Sequence, residues 1–547
     1  MGAMIRFVSL LPALLAGALW LSCSPAKSIT AGGTGSETVI GRALTPSGQP
    51  AANAVVHLRR ADYVSPPATD SKVPVGDYAD DTANADGYFA MAGIQAGSYR
   101  IEVNDGISNA ILFDCTVDGR GDTADVGTGT LQPYAIVNVA VVASSQGSSR
   151  LLVQVRGLER LVDVVADGKI TVANLPPCML DLRVISADSS IAPFETEGIT
   201  AADGAAANVT MDPNWRFAKR LYINTTASGA NVNEAVVDFP LLVRLDSANF
   251  NFSQASGSGQ DIRFAKADLT PLPYQIEEFN NKARSAALWV RADTVYGNTS
   301  AQFITILWGN PSASSQSDGA AVFDTANGFA GVWHLGEAAG AVRADATANH
   351  ADAKPVGYDG DEQVQGYIAG GDSLDNNNDA LDAGNLAVAG SLTLSMWIDA
   401  AAYKPWGHLI AKAYDPAVYP WLAYGLQLDS TDTPHVSMTV TTQNGDSSIE
   451  TISRVPLQQW VYVAGTFDGS SLRLYFNGAK EIDVPFSGAI VQNSKDVYIG
   501  ELETSPEQRF CGKIDEIRIA TVARSAGWVK LCYETQKQNS AVLVFPK

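Results

Sequence analysis

Residues 391–400 read SLTLSMWIDA, and their alternation sets the fold class. Leu392, Leu394, Met396 and Ile398 fall on one face of an extended chain, and Thr393, Ser395 and Trp397 on the other. Similar short alternating runs recur along the chain, divided by Gly, Pro, Asn and Asp. Asp86-Gly87, Asp468-Gly469 and Asn477-Gly478 carry the residue pairs that favour tight hairpin turns. No long amphipathic helix is expected anywhere. The chain is therefore predicted to be all-β and built of sandwiches. At 547 residues it is too long for one core, and about three to five domains are expected.

The N-terminus reads as an export signal. Arg6 gives the positive start, and FVSLLPALLAGALWLS (residues 7–22) is an apolar stretch too short, and too broken by Pro12, for a membrane span. Cys23 follows at once. The stretch resembles a bacterial lipobox, in which the cysteine becomes the lipidated first residue. Ser22 fits that pattern, whereas Trp20 stands where leucine is usual. The resemblance implies a signal peptide over residues 1–22 and lipidation at Cys23. Residues 23–37 then form a small-residue tether. Ser24 fits an outer-membrane or cell-surface location, with plain secretion as the alternative. Thirty-seven Lys and Arg stand against 58 Asp and Glu, and the formal charge of −21 has no basic cluster to offset it. Phosphate backbones repel such a chain, so nucleic acid is not an expected partner.

Residues 38–130 carry a G-x-P-x-x-x-A strand, a D-G-x-F-like turn at Asp86–Gly87 and Ile94-Gln-Ala-Gly97-Ser-Tyr99. They resemble the carboxypeptidase regulatory-like, transthyretin-type domain, a family that implies a spacer. Residues 131–212 repeat the pattern in degraded form, with Asp167-Gly168 and Leu175-Pro-Pro177, and read as a second Ig-like sandwich. Residues 213–325 carry Phe239-Pro240, Asp261-Ile-Arg-Phe264, Pro273-Tyr274, Trp289-Val290 and Trp308-Gly309-Asn310. This segment resembles an uncharacterised domain of bacterial envelope proteins that often precedes a laminin-G-like module, and it implies a third sandwich. Residues 326–547, with SLTLSMWIDA, WVYVAGTFDGSSLRLYFNGAKEIDV and GKIDEIRIATVAR, resemble the laminin-G-like, concanavalin A-like jelly roll.

The chemistry is sparser. His334 and Glu337 form an H-x-x-E, but residues three apart on a strand face opposite ways, and no H-E-x-x-H zinc motif occurs. Asp515-Glu516, Glu501 with Glu503, and Glu277-Glu278 lack the E-x-D-x-E spacing of a glucanase strand and read as surface carboxylates. No G-x-S-x-G elbow is present, and His57, His408 and His435 stand without marked partners. No catalytic residue is expected. The laminin-G-like resemblance implies a calcium set of Asp345, Asn349 and Asp515. The loop RADATANHAD is either that clip or a turn capped by its own Asp and Asn. An acidic loop with Asp372, Asp375, Asp379 and Asp382 reads as solvated.

Tyr403, Trp406, Tyr414, Tyr419 and Trp421 concentrate in a proline-rich stretch. Such rings either stack on sugar faces or plug the end of the sandwich. Beyond Cys23, four cysteines permit disulfides in an exported protein, and Cys511–Cys532, within one module, is the preferred pair. The expected function is a lipid-anchored surface protein with a non-catalytic, lectin-like module for a glycan or surface-protein partner. A structural or adhesive scaffold is the alternative, and a polysaccharide hydrolase a weaker one.

Overall fold

The computed structural model describes residues 37–66, 78–142, 150–164, 168–188, 191–375, 378–414, 419–503 and 508–546. Residues 1–22, Cys23, most of the tether and Asp167 lie outside them. Among the described residues no helix is long and apolar enough to cross a membrane. The protein is all-β, as the alternation requires. It divides into two units, Met1–Pro213 and Asn214–Lys547.

The first unit holds two sandwiches. In the first, Glu37–Leu44 runs between Tyr88–Ile94 and Thr123–Thr130. A five-stranded sheet built around Val55–Arg60 and Gly97–Asn104 faces it across a core containing Val39, Phe89, Ile101 and Phe113. Every second residue of Glu37–Leu44 is buried. The turn at Asp86-Gly87 needs its glycine. Gly87 has φ +80°, and a Cβ there would lie 2.3 Å from the Ala43 carbonyl oxygen. In the second sandwich, Ala135–Val141 pairs with Lys169–Leu175 and Ala206–Met211. Their core, with Val137, Leu180 and Phe194, is shared with Leu151–Val155, Met179–Ser186 and Phe194–Thr200.

The second unit also holds two sandwiches, but their cores are not separate. In the first of these, Val236–Asp246, Ser285–Val295 and Tyr274–Asn280 form one sheet. Phe217–Ile223, Gln302–Trp308 and Arg263–Ala265 belong to the other. The second sandwich is a jelly roll of an eight-stranded sheet centred on Leu392–Ala402 and Cys511–Ala520 and a seven-stranded sheet centred on His408–Ala413 and Leu422–Leu428. Leu394, Met396 and Ile398 point between these two sheets into the jelly-roll core. Trp397 points the other way, with Tyr462 and Tyr475, into a cluster that also contains Phe239, Trp289 and Phe323 of the neighbouring sandwich. The outer face of the eight-stranded sheet is thus covered within the unit.

Two features add to the expected sandwiches. A helix does form, Ala526–Gln536, capped by the Ser525 side chain accepting from Trp528 N–H. Its buried residues Trp528, Val529, Leu531, Cys532, Thr535 and Gln536 follow a helical spacing. Trp528 meets Phe239 edge-on at 5.0 Å, while Gln536 accepts from the Trp397 indole at 2.6 Å, so the helix wedges between the two sandwiches. The boundary at residue 326 is also not a clean cut. Leu543–Val544 returns to pair with Tyr222 and Ile223, extending the preceding sandwich with the chain's last strand.

The expected Cys511–Cys532 bridge is absent, and all four described cysteines are free. Cys511 is half-buried at the start of its strand, while Cys532 is sealed in the helix against the Tyr462 and Arg518 side chains, so sequence proximity did not bring the thiols together. Burial pushes the Cys532 thiol up.

Candidate functional site

The aromatic stretch does not make one platform. Tyr403 packs against the jelly-roll core and donates its hydroxyl to the Val455 carbonyl at 2.6 Å. Trp406 precedes the strand His408–Ala413, whereas Tyr414, Tyr419 and Trp421 lie beyond its far end. A six-residue strand separates them by about 17 Å. Tyr414 N–H donates to the Trp421 carbonyl at 2.7 Å, which holds the two chain segments together. The Tyr419 hydroxyl bonds Asp446 at the turn of the next hairpin. Tyr419 is 66% exposed, Trp421 47% and Tyr414 37%; Trp406, at 39%, is as exposed but stands at the other end of the strand, so these three rings, not all five, form one exposed group. The adjoining strands carry short polar side chains, with Ser437 and Thr439 both bonded to Ser448.

The loop at 343–352 folds as a capped turn. Asp345 accepts from Val332 N–H at 2.9 Å and Thr347 N–H at 3.0 Å on one oxygen. Its other oxygen accepts from the Thr347 hydroxyl at 2.7 Å and Ala351 N–H at 2.9 Å. The Asn349 amide donates to the Ala330 carbonyl at 3.0 Å. Asp515 is buried, and its two oxygens accept from Ile368 and Glu516 N–H groups, each at 2.7 Å. Of the two readings of this loop, the hydrogen bonds support the turn, because Asp345 and Asp515 have spent their oxygens on donors. The acidic loop is likewise not simply solvated. Asp372 is buried and takes both ends of the buried Arg343 guanidinium at 2.7 and 2.8 Å, plus the Tyr358 hydroxyl at 2.9 Å. Burial pushes Asp379 up to about 6.

The surface reading holds for Glu503, which is exposed, and fails for four of the other carboxylates. Glu277, Glu501, Asp515 and Glu516 all have buried side chains. Glu501 pairs with Arg509 at 2.7 Å. On a regular strand Asp515 and Glu516, as neighbours, would leave opposite faces. Instead Ser395 faces Arg518 and Trp397 faces Asp515, so Glu516 and Ile517 together oppose a single residue. This is a β-bulge, with Glu516 at φ +52°, and it turns both carboxylates inward. Nor are the histidines all alone. His57 bonds Asp80 at 2.8 Å, and His435 bonds Asp429 at 2.7 Å. His408 is buried, and burial pushes it down to about 4.

His334 sits just past the strand Phe329–Trp333 and reaches across to the neighbouring sandwich. Its Nδ1 lies 2.5 Å from Glu516 Oε1 and 3.7 Å from Glu277 Oε2, and its Nε2 is 3.2 Å from Gln275 Oε1. The Trp289 indole donates to Glu277 at 2.7 Å, and Arg518 donates to Glu516 at 2.7 Å while lying 4.4 Å over the Trp289 ring. Glu337 is not a member, since it accepts from Ala344 N–H at 2.9 Å. Neither spacing nor a motif in the sequence could join Glu277 to Glu516, which lie on different sandwiches.

Comparison with known proteins agrees with this architecture. Residues 374–530 match the concanavalin A-like lectin/glucanases superfamily, and residues 258–336 match a domain of unknown function, DUF2341. The chain thus carries a C-terminal concanavalin A-like domain preceded by a DUF2341 domain. No curated protein matches. Among solved structures, domain 4 of the extracellular arabinanase AbnA from Geobacillus stearothermophilus, in complex with arabinotriose, is 16% identical. That similarity covers 37% of this chain and 97% of that one, with a TM-score of 0.30. The binding domain of Paraclostridial Mosquitocidal Protein 1 is 13% identical over 38% of this chain and 52% of that one, with a TM-score of 0.31. A heptameric SAP-like pentraxin from Limulus polyphemus is 15% identical over 28% of this chain and 73% of that one, with a TM-score of 0.24.

Proposed function

We propose that this protein is a non-catalytic, carbohydrate-binding surface protein. The observation that carries this reading is the exposed group Tyr414, Tyr419 and Trp421 at one end of the seven-stranded jelly-roll sheet. Sugar rings present apolar C–H faces that stack on exposed aromatics, while Asp446, which meets the Tyr419 hydroxyl, is placed to take a sugar hydroxyl. The match of residues 374–530 to a lectin and glucanase superfamily supports a carbohydrate as the ligand class. The buried carboxylates support a binding role over hydrolysis, because Glu501 and Glu516 are held in ion pairs rather than facing a cleft. The test is a glycan array probed with the chain from residue 37 onward. Replacing Tyr419 and Trp421 together by alanine is expected to weaken binding at least ~30-fold, on the scale of one to three kcal/mol per stacked ring. Trp406→Ala is expected to leave it within about twofold. A scaffold without a small ligand gives no array signal for the unaltered chain.

The anchored location belongs to the same proposal. Cys23 would carry the lipid and the tether would hold the modules off an outer membrane. Radiolabelled palmitate is expected to enter the intact chain and not Cys23→Ser. Equal labelling of both would disprove anchoring at this residue.

A further inference from the structure

We propose that Glu277, His334 and Glu516 form a binding site for a zinc-class divalent cation, set at the junction of the DUF2341 domain and the jelly roll. Their ligand atoms, one from each residue, lie within 4.8 Å of one another. The imidazole is oriented for this role. Gln275 Oε1 lies 3.2 Å from Nε2, within reach to accept its proton, and in the tautomer protonated there the Nδ1 lone pair faces the two carboxylates. Metal-bound histidines are held in the same way by an acceptor on the far nitrogen. Three electron-rich atoms then share one point, and only a positive charge placed there removes their repulsion.

A second, independent observation falls on the same carboxylate. Glu277 Oε1 is buried and has no hydrogen-bond partner, although its side chain is only 3% exposed. An orphaned carboxylate oxygen in a sealed interior costs stability unless something binds it. The other carboxylate contacts act as orienting groups, with Trp289 N–H on Glu277 and Arg518 on Glu516. Burial and the Glu516 and Asp515 charges push Glu277 well above the usual carboxylate range, which a bound cation would reverse.

The donor set selects the ion. One imidazole nitrogen with two carboxylates suits zinc, whereas calcium takes oxygen ligands only and more of them. Zinc bonds of about 2.0–2.1 Å require ligand atoms roughly 3.3 Å apart. The present Nδ1 separations of 2.5 and 3.7 Å bracket that value, so side-chain shifts of under about 1 Å complete the site. Arg518 and Arg244 oppose a cation, and Glu277, Glu516 and Asp515 outnumber them. The site would fasten a residue of one sandwich to two of the other, independently of any sugar bound at the aromatic group.

The experiment uses the full chain, stripped of metal by dialysis and titrated with zinc chloride by calorimetry, with bound metal counted by mass spectrometry. One zinc per chain is expected, with a Tm higher by about 3 °C or more at a hundredfold excess over Kd. Glu277→Gln keeps an acceptor for the Trp289 indole and is expected to lose at least ~100-fold in zinc affinity. His334→Ala is expected to lose binding as well, and Glu277→Gln remains decisive should the alanine variant not fold. Calcium chloride is expected to give no heat at this site. Absence of stoichiometric zinc in the unaltered chain, or equal zinc in Glu277→Gln, overturns the proposal. The first outcome would leave a proton between His334 and Glu516 as the shared charge.

Discussion

Replacing Arg343 with methionine is expected to lower the stability of the unit Asn214–Lys547 by about 3–5 kcal/mol, the cost of leaving one buried charge without its partner. Arg343 and Asp372 are both fully buried and meet through two hydrogen bonds of 2.7 and 2.8 Å. Arg343 also donates to the Ala338 and Ala341 carbonyls at 2.9 Å each, so it closes the loop that follows His334 as well as pairing the charge. Methionine approximates its length and none of its donors. The Asp372 carboxylate would keep only the Tyr358 hydroxyl, and burial already pushes that carboxyl up. The double variant Arg343→Met with Asp372→Leu is expected to recover part of the loss, because no uncompensated charge remains. Urea denaturation of the unaltered protein and the two variants measures both numbers. A loss below about 1 kcal/mol for the single variant would show that water reaches the pair and that the burial reading is wrong.

What was legible in the sequence follows from what each signal encodes. Alternation is a local property, and it placed Leu394, Met396 and Ile398 against Trp397 on opposite faces as observed. The turns at Asp86-Gly87 and Asn477-Gly478 are local as well. What alternation does not say is that both faces of a sheet are buried. Trp397 was legible as an outer residue, but its burial depends on Tyr367, stacked at 3.6 Å, and on a helix that is more than a hundred residues away. The helix was missed because GWVKLCYE, read after a run of strands, continues a β-rich pattern. Its helical spacing at Trp528, Leu531, Cys532 and Thr535 was nonetheless present. The carboxylate cluster fails for a different reason. A bulge breaks the two-residue period at Glu516, and no periodicity reports where a strand gains a residue. Of the five aromatics, packing against the core removes Tyr403 and position along the strand His408–Ala413 separates Trp406 from the other three, and neither is a property of a ring.

A fragment of residues 326–547, the jelly roll as sequence similarity would cut it, is expected not to fold on its own. In the intact unit Phe329 meets Phe323 edge-on at 5.4 Å, and Trp528 meets Phe239 at 5.0 Å. Removing residues 214–325 exposes both rings, at about 1.5–3 kcal/mol each. It also strips the Trp289 and Phe323 rings from Arg518, at 4.4 and 5.1 Å, and Gln275 and Glu277 from His334. Gly527 N–H loses Glu234 at 2.8 Å, Lys530 loses the Asn231 carbonyl at 2.8 Å, and the strand Leu543–Val544 loses its partner. Together these losses are on the order of 5–10 kcal/mol, against a total of about 5–15 kcal/mol for a domain. The fragment is therefore expected to aggregate or to bind a hydrophobic dye, whereas residues 214–547 are expected to melt in one calorimetric transition whose van't Hoff and calorimetric enthalpies agree. A fragment that stays monomeric and melts within a few degrees of the intact unit would mean that the shared cluster is only a contact between two independently stable sandwiches. The shared helix argues against that outcome. It donates to one sandwich through Lys530 and Gly527 and accepts from the other through Gln536, so neither sandwich keeps a complete surface without it.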